Sequence, residues 1–314
     1  MKRLSFPEMF ETSDCILGEG AVIERLRRNS AFELDPDVVN SAFIYDPAKR
    51  AALADIYRQY LDIGYKYNLP LLLSTPTWRA GRERIQKAGY EKKDVNGDNF
   101  RFFDEMRRSY GGYAAKIAIC GLLSCRGDAY NQADALSSAE ALAFHSWQAN
   151  KLAGAGVDFL LAATLPALSE ATGLAAALAA TGKPYIISFV FRSEGTLLDG
   201  TPLKDAISVI DASVEPKPLA FMSNCTHASI FKAAMVHAKN SSPAVRKRVA
   251  GLFANTAALE PEALDDREEL VEEDPRVFGE SVASLHHELG MKILGGCCGT
   301  DERHIDSLAK RLIL

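Results

Sequence analysis

Eight short apolar runs, separated by longer segments with helical periodicity, constrain this chain more than any other feature. The runs are Cys15–Leu17, Leu69–Thr75, Lys116–Leu123, Asp158–Thr164, Pro184–Phe191, Pro218–Asn224, Arg248–Ala254 and Lys292–Cys298. Each is too short to be a buried helix and lacks the alternation of a half-exposed strand, so each reads as a strand covered on both faces. Between them, Leu53, Ile56, Tyr60 and Ile63 make one apolar helical stripe, and Phe278, Val282, Leu285 and Leu289 make another. Gly64, Gly156, Gly182 and Gly290 stand where helices should stop before the next strand. Eight strands alternating with helices predict an α/β fold, a single (β/α)8 TIM barrel over residues 1–314. An open doubly wound sheet is the alternative, but Gly18-Glu19-Gly20 lacks the third glycine of a phosphate loop.

Composition narrows the function. The 36 basic and 41 acidic residues give a net charge of −5, the opposite of a general nucleic-acid binder. No apolar run approaches the length that crosses a bilayer, and Glu8, Glu11 and Asp14 interrupt any leader-like start. A cytoplasmic protein is the expectation. Two connections carry unusual charge. Residues 76–115 are basic, and residues 260–274 hold nine acidic side chains. Both follow strands and so belong on the active-site face of a barrel. They are either solvated loops or elements that gate the site, steer a charged co-substrate or dock a partner.

The strongest chemical signal is Gly295-Gly296-Cys297-Cys298-Gly299-Thr300 at the end of the last run. Neighbouring side chains on a regular strand point to opposite faces, so two sulfurs can meet one metal only if the backbone bends, which glycine permits. Asn224-Cys225 ends the sixth run. In a barrel the carboxyl ends of strands six and eight open onto one rim, where Cys225, Cys297 and Cys298 can converge. Three thiolates leave tetrahedral zinc one position open, as in a catalytic site. Zn2+ with three thiolates carries a charge of −1, and a bound substrate thiolate makes it −2. So electron-rich a centre keeps sulfur nucleophilic while lowering its pKa, and the chemistry it favours is alkyl transfer to a thiol. No catalytic residue beyond the metal site is expected. Cys15, Cys120 and Cys125 read as core residues, and His145, His237, His286 and His287 as helix residues on the surface or in packing.

These segments resemble the homocysteine S-methyltransferase family, zinc enzymes that include betaine– and S-methylmethionine–homocysteine methyltransferases. Asn224-Cys225 with Gly295–Thr300 matches its zinc pattern. Ser74-Thr75-Pro76-Thr77-Trp78, Val157–Leu161, Asp199–Leu203 and Thr300–Ile305 match in order along nearly the whole chain. The resemblance implies a barrel with Cys225, Cys297 and Cys298 as zinc ligands at the C-terminal rim. It implies Glu19 and Gly20 beside the acceptor's amino group, Thr75 and Thr77 facing the acceptor pocket, and Trp78 toward a cationic methyl donor. Asn224 is expected in the same pocket, where it would orient Cys225 or simply end its strand. His227 would stand behind the metal site or start a helix, and His304 would support the closing helix. The chain departs from the family at Ala163, where a glutamate is common, with Glu194 a distant substitute, and at Asn255-Thr256-Ala257.

The expected function is methyl transfer from a small donor to a zinc-bound thiol, homocysteine giving methionine. The alternatives are a different thiol or selenol acceptor, or a non-catalytic metal-binding barrel serving as a partner subunit. The donor stays open among S-methylmethionine, S-adenosylmethionine, betaine, methylated folate and a methylated corrinoid. The last two could arrive on a separate carrier protein, since the barrel is expected to use all 314 residues. Oligomeric state cannot be read from the sequence.

Overall fold

Each of the eight apolar runs forms a strand, and the strands close on one another. The computed structural model describes residues 3–259 and 272–314. Its strands are β1 (Ile16–Gly18), β2 (Leu71–Ser74), β3 (Ile117–Ser124), β4 (Phe159–Leu165), β5 (Tyr185–Phe189), β6 (Ala220–His227), β7 (Val249–Asn255) and β8 (Ile293–Gly296). All pairs are parallel, and the β1–β8 pairing, Ile16 opposite Ile293, closes the barrel. Nearly every strand residue is buried, which explains why the runs lack alternation. One face meets the barrel interior and the other meets the helices.

The core accordingly has two layers. Leu72, Phe159, Leu161, Ile186, Met222, Phe253 and Ile293 fill the barrel interior. The larger layer lies between strands and helices, with Leu53, Tyr57, Tyr60 and Leu61 from the helix Pro47–Tyr67 and Phe278, Val282 and Leu285 from the helix Pro275–Leu289. The first stripe is displaced slightly from expectation, with Tyr57 and Leu61 buried and Ile56 only partly so, and in the second Leu289 is only partly buried. The floor of the barrel is sealed by an element that the strand pattern did not announce. Helix Phe6–Thr12 begins with a Ser5–Glu8 capping box, and Phe6 stacks on Phe159 with ring centroids 3.6 Å apart.

Gly156 and Gly290 cap their helices in the left-handed conformation, and Gly182 is left-handed just beyond Ala179. Gly64 behaves differently. It lies inside the helix Pro47–Tyr67, which Asn68 caps at φ +55°. A Cβ at Gly64 would stand 2.3 Å from the Tyr113 hydroxyl, so this glycine serves close packing, and asparagine, which tolerates the left-handed region, ends the helix.

The basic connection 76–115 is mostly structured, with helices Arg82–Lys87 and Val95–Ser109. Much of its charge is paired, within the connection or with neighbouring segments: Lys87 with Asp37, Arg101 with Asp94 and Asp98, and Arg107 with Asp104 and Asp158. Of the acidic stretch 260–274, residues 260–271 lie outside the described residues. Glu272 pairs with Arg303, and Asp274 caps the helix that follows. Among the described residues no helix is long and apolar enough to cross a membrane.

Candidate metal centre

β6 does not end regularly. Its register with β7 slips between Asn224 and Thr226, and the extra residue, Cys225, adopts φ +54°. This bulge turns the Cys225 side chain toward the barrel mouth. β8 ends at Gly296, and the chain then makes a turn in which Thr300 N donates to Cys297 O at 3.2 Å and Gly299 has φ +84°. Cys297 and Cys298 therefore leave the strand before their side chains must diverge. A Cβ on Gly299 would meet Thr256 Oγ1 at 1.8 Å, and one on Gly296 would meet Thr300 Oγ1 at 2.3 Å. The turn is tied to its neighbours by Cys297 N donating to Ala254 O at 2.7 Å and Thr256 N to Cys298 O at 3.1 Å.

The three sulfurs lie within 4.8 Å of one another, and Cys225 and Cys297 Sγ are 2.8 Å apart. Two thiolates cannot share that separation without a proton or a cation between them. The Cys297 thiol is accordingly held well above its ordinary value, first by the hydrogen bond with Cys225 and then by burial. A divalent cation would reverse that preference. Three soft donors converging at a cavity wall fit a thiophilic metal with one position left open. A second ligand-like group, Glu272, Asp301 and His304, is already committed: His304 Nδ1 bonds Asp301 and Nε2 donates to Glu273 O.

The sulfurs sit on a cavity of about 490 Å3 at the C-terminal mouth of the barrel. Five of the six other residues expected in the site, Glu19, Gly20, Thr75, Trp78 and Asn224, line it with them. Glu19 is 8% exposed. Burial lifts its carboxyl from 4.5 to about 8 against the opposing pull of Ser74, whose N–H donates to Glu19 Oε2 at 2.9 Å. Gly20 packs closely, since a Cβ there would stand 2.8 Å from the Tyr60 hydroxyl. The Thr75 hydroxyl accepts from Leu122 N at 3.1 Å and bonds Thr77. Thr77 stands behind it, donating to Leu122 O, and is not a lining residue. Trp78 already carries the Arg79 guanidinium 4.0 Å over its ring.

Asn224 spends its whole amide on the rim. Oδ1 accepts from Thr164 N at 2.9 Å and Ser188 Oγ at 2.6 Å. Nδ2 donates to Thr164 Oγ1 and, at 3.4 Å, to Cys225 Sγ. Thr164 is itself left-handed, φ +58°, at an irregularity in β4. Ala163 lines the cavity, whereas Glu194 is exposed and does not. His227 caps the next helix, accepting from Ser229 N. Cys15, Cys120 and Cys125 are buried free thiols. Burial pushes Cys15 and Cys125 up to about 11. His145 is the packing case, buried and bonded to Glu170 at 2.9 Å.

Two residues near the sulfurs were not anticipated. Glu24 accepts from the backbone N–H of Gly299. Tyr130, on the loop after β3, lines the cavity with the sulfurs; burial and then the nearby sulfurs push its hydroxyl far above the phenol range, so it stays protonated. The loop is anchored by Glu170, which accepts from Arg126 N at 2.7 Å and Leu136 N at 3.2 Å. Arg79 secures it from the other side, donating to the carbonyls of Cys125, Arg126 and Gly127. No motif marks Tyr130; the only signal available was its position on a rim loop.

The family model described as homocysteine S-methyltransferase matches residues 16–312. The chain is 29% identical over 201 residues to the homocysteine S-methyltransferase YbgG of Bacillus subtilis (strain 168), covering 62% of this chain and 60% of that protein. It is 29% identical over 210 residues to the homocysteine S-methyltransferase of Escherichia coli (strain K12), covering 65% and 61%. The matches thus span about three fifths of the length of these relatives. The betaine–homocysteine S-methyltransferase 1 of Bos taurus is 22% identical over 331 residues, 97% of this chain and 74% of that one. Among solved structures, the metallated homocysteine methyltransferase MmuM from Escherichia coli superposes with a TM-score of 0.74 at 20% identity, covering 97% of this chain and 98% of that one. That likeness shows the barrel fold.

Proposed function

This chain belongs to the homocysteine S-methyltransferase family, and from that premise we propose that it is a zinc-dependent methyltransferase that moves a methyl group from a small donor to homocysteine, giving methionine. The observation that carries the reading is the convergence of Cys225, Cys297 and Cys298 on the wall of a cavity with room for two small substrates. Cys225, Cys297 and Cys298 would hold the zinc. When bound, the ion would keep the acceptor sulfur as a nucleophilic thiolate at neutral pH.

The rest is the work of the chain. Asn224 holds Cys225 by a hydrogen bond, and Thr300 holds the Cys297 turn, donating to Cys297 O at 2.7 Å. Fixing these groups in advance is what lets positioning lower the barrier. Glu19 is the carboxyl for the acceptor's ammonium. Ligand-free, it keeps its proton at neutral pH. An ammonium beside Oε2 would compensate for the burial, and the proton would leave. Glu19 then serves where Ala163 offers no charge. Leu161, Phe253 and Leu122 give the cavity apolar walls that displace water from the reacting sulfur. Within the described residues nothing calls for a covalent protein intermediate.

The test uses the whole chain. Methyl transfer to homocysteine from a panel of donors, read as methionine by mass spectrometry, is expected to track zinc up to one ion per chain. It is expected to vanish on chelation and in Cys225→Ala. A metal-free preparation at full rate, or a zinc-loaded one that methylates no thiol with any donor, would overturn the reading.

A further inference from the structure

We infer that Asn255 is a specificity-determining residue, its side-chain amide receiving the carboxylate of an amino-acid acceptor; this rests on the methyltransferase reading. Asn255 is the last residue of β7, the strand between the two that deliver the cysteines. Its neighbours are bonded to them, Ala254 O to Cys297 N and Thr256 N to Cys298 O. The side chain lines the cavity and is 1% exposed, yet neither Nδ2 nor Oδ1 has a hydrogen-bond partner. Among the described residues it is the one amide with both polar atoms fully enclosed and unpaired. A buried, unpaired amide is costly to a fold, and it is retained where a ligand completes it.

The surrounding groups show what that ligand presents. The other polar side chains of this wall are spent: Asn224 on Thr164, Ser188 and Cys225, Thr75 on Leu122 and Thr77, and Tyr57 on Ser74 O. The lining cations do not offer a buried partner for an anion. Arg79 is engaged by three carbonyls and Trp78, and Arg27 is exposed. Beside the Asn40 amide, which also lines the cavity, the Asn255 N–H is thus a buried donor available to a carboxylate, as Glu19 is the buried acid available to an ammonium. The carboxylate accepts from Nδ2 while the ammonium on the same carbon goes to Glu19.

The experiment is calorimetric binding to the zinc-loaded protein, so it reads no catalysis. The ligands are homocysteine, 4-mercaptobutyrate, which lacks the ammonium, and 3-aminopropane-1-thiol, which lacks the carboxylate. Asn255→Ala is expected to weaken homocysteine and 4-mercaptobutyrate about 10- to 100-fold and to leave 3-aminopropane-1-thiol within about threefold. Asn255→Asp, isosteric but repelling a carboxylate, should weaken the first two further. Ligand-free Asn255→Ala should keep its zinc and melt no lower than the parent, because it sheds an unpaired amide. Equal weakening of all three thiols would assign the amide to the sulfur and overturn the inference. No weakening, or loss of zinc or melting temperature, would make Asn255 structural and overturn it too. If the parent protein holds zinc but binds none of the thiols, the methyltransferase reading itself fails and the inference goes with it.

Discussion

Glu19 offers the sharpest quantitative test, because its ionisation is tied to both ligand and fold. Its carboxyl is raised from 4.5 to about 8 by burial. At about 1.4 kcal/mol for each tenfold change in acidity, ionising it in the empty cavity costs about 5 kcal/mol. At pH 7 the empty site is therefore about nine-tenths protonated there. An acceptor ammonium beside the carboxylate removes the reason for that proton, so binding expels it. Homocysteine should release nearly one more proton at pH 7 than 4-mercaptobutyrate, which delivers the same sulfur without the ammonium. The proton lost by the thiol cancels in the difference. The assay is titration calorimetry in buffers of different ionisation enthalpy. Glu19→Gln should abolish the difference, and below pH 8 homocysteine affinity should fall about tenfold per pH unit more steeply in the parent protein than in this variant. Equal proton release by the two thiols would refute the role given to Glu19.

The same shift fixes the sign of a stability effect. The folded protein holds this proton more tightly than the unfolded chain. Stability is greatest below pH 4.5 as far as Glu19 is concerned, declines as pH rises from 4.5 to 8, and is level above that. Ligand-free Glu19→Gln should lose this part of the decline.

Three further outcomes follow from particular contacts. Glu170→Ala leaves Arg126 N, Leu136 N and His145 Nε2 without their buried acceptor and should cost about 3–5 kcal/mol in denaturant unfolding. Because the Glu170 pKa is lowered, through His145 and the loop amides acting against its burial, this contribution is present above about pH 4.5 and fades at lower pH; unchanged amide exchange across 126–136 would count against the anchor. Gly299→Ala meets both a left-handed φ of +84° and Thr256 Oγ1 at 1.8 Å, so it should lower stability by at least about 2 kcal/mol and reduce zinc occupancy by elemental analysis. Phe6→Ala removes the ring stacked on Phe159 beneath the barrel and should cost about 3–5 kcal/mol without altering zinc content.

The barrel was legible because strands covered on both faces have no alternation to hide, and each of the eight runs overlaps its strand. The cysteine cluster was legible for a different reason: Gly296 and Gly299 flank Cys297-Cys298 where any Cβ would collide, so the sequence records the turn. Phe6–Thr12 escaped because one apolar turn looks alike whether it plugs a barrel or frays. The roles of Tyr130 and Asn255 escaped because nothing local distinguishes a loop tyrosine that lines the cavity, or a strand-end asparagine left unpaired, from their solvated counterparts. Those properties arise only when strands distant in sequence meet.

The bend at Cys225 was the part least open to sequence reasoning, and it ties the fold to the chemistry. The expected bend lay in the glycines near Cys297, where left-handed backbone costs little. The structure also places one at Cys225 and another at Thr164, two side-chain-bearing residues at φ +54° and +58°. Each such conformation costs on the order of 1–3 kcal/mol and persists only if its surroundings enforce it. The enforcement is visible in one residue. Asn224 reaches across β5, bonding Thr164 through both N–H and Oγ1, Ser188 on the way, and the Cys225 sulfur. The two strained rim residues are thus clamped by a single amide, and an ordinary regular strand end would return Cys225 to the strand's alternating pattern. The strain is what turns Cys225 toward the Cys297 turn, so stability given up at the rim is the condition for a three-sulfur centre there.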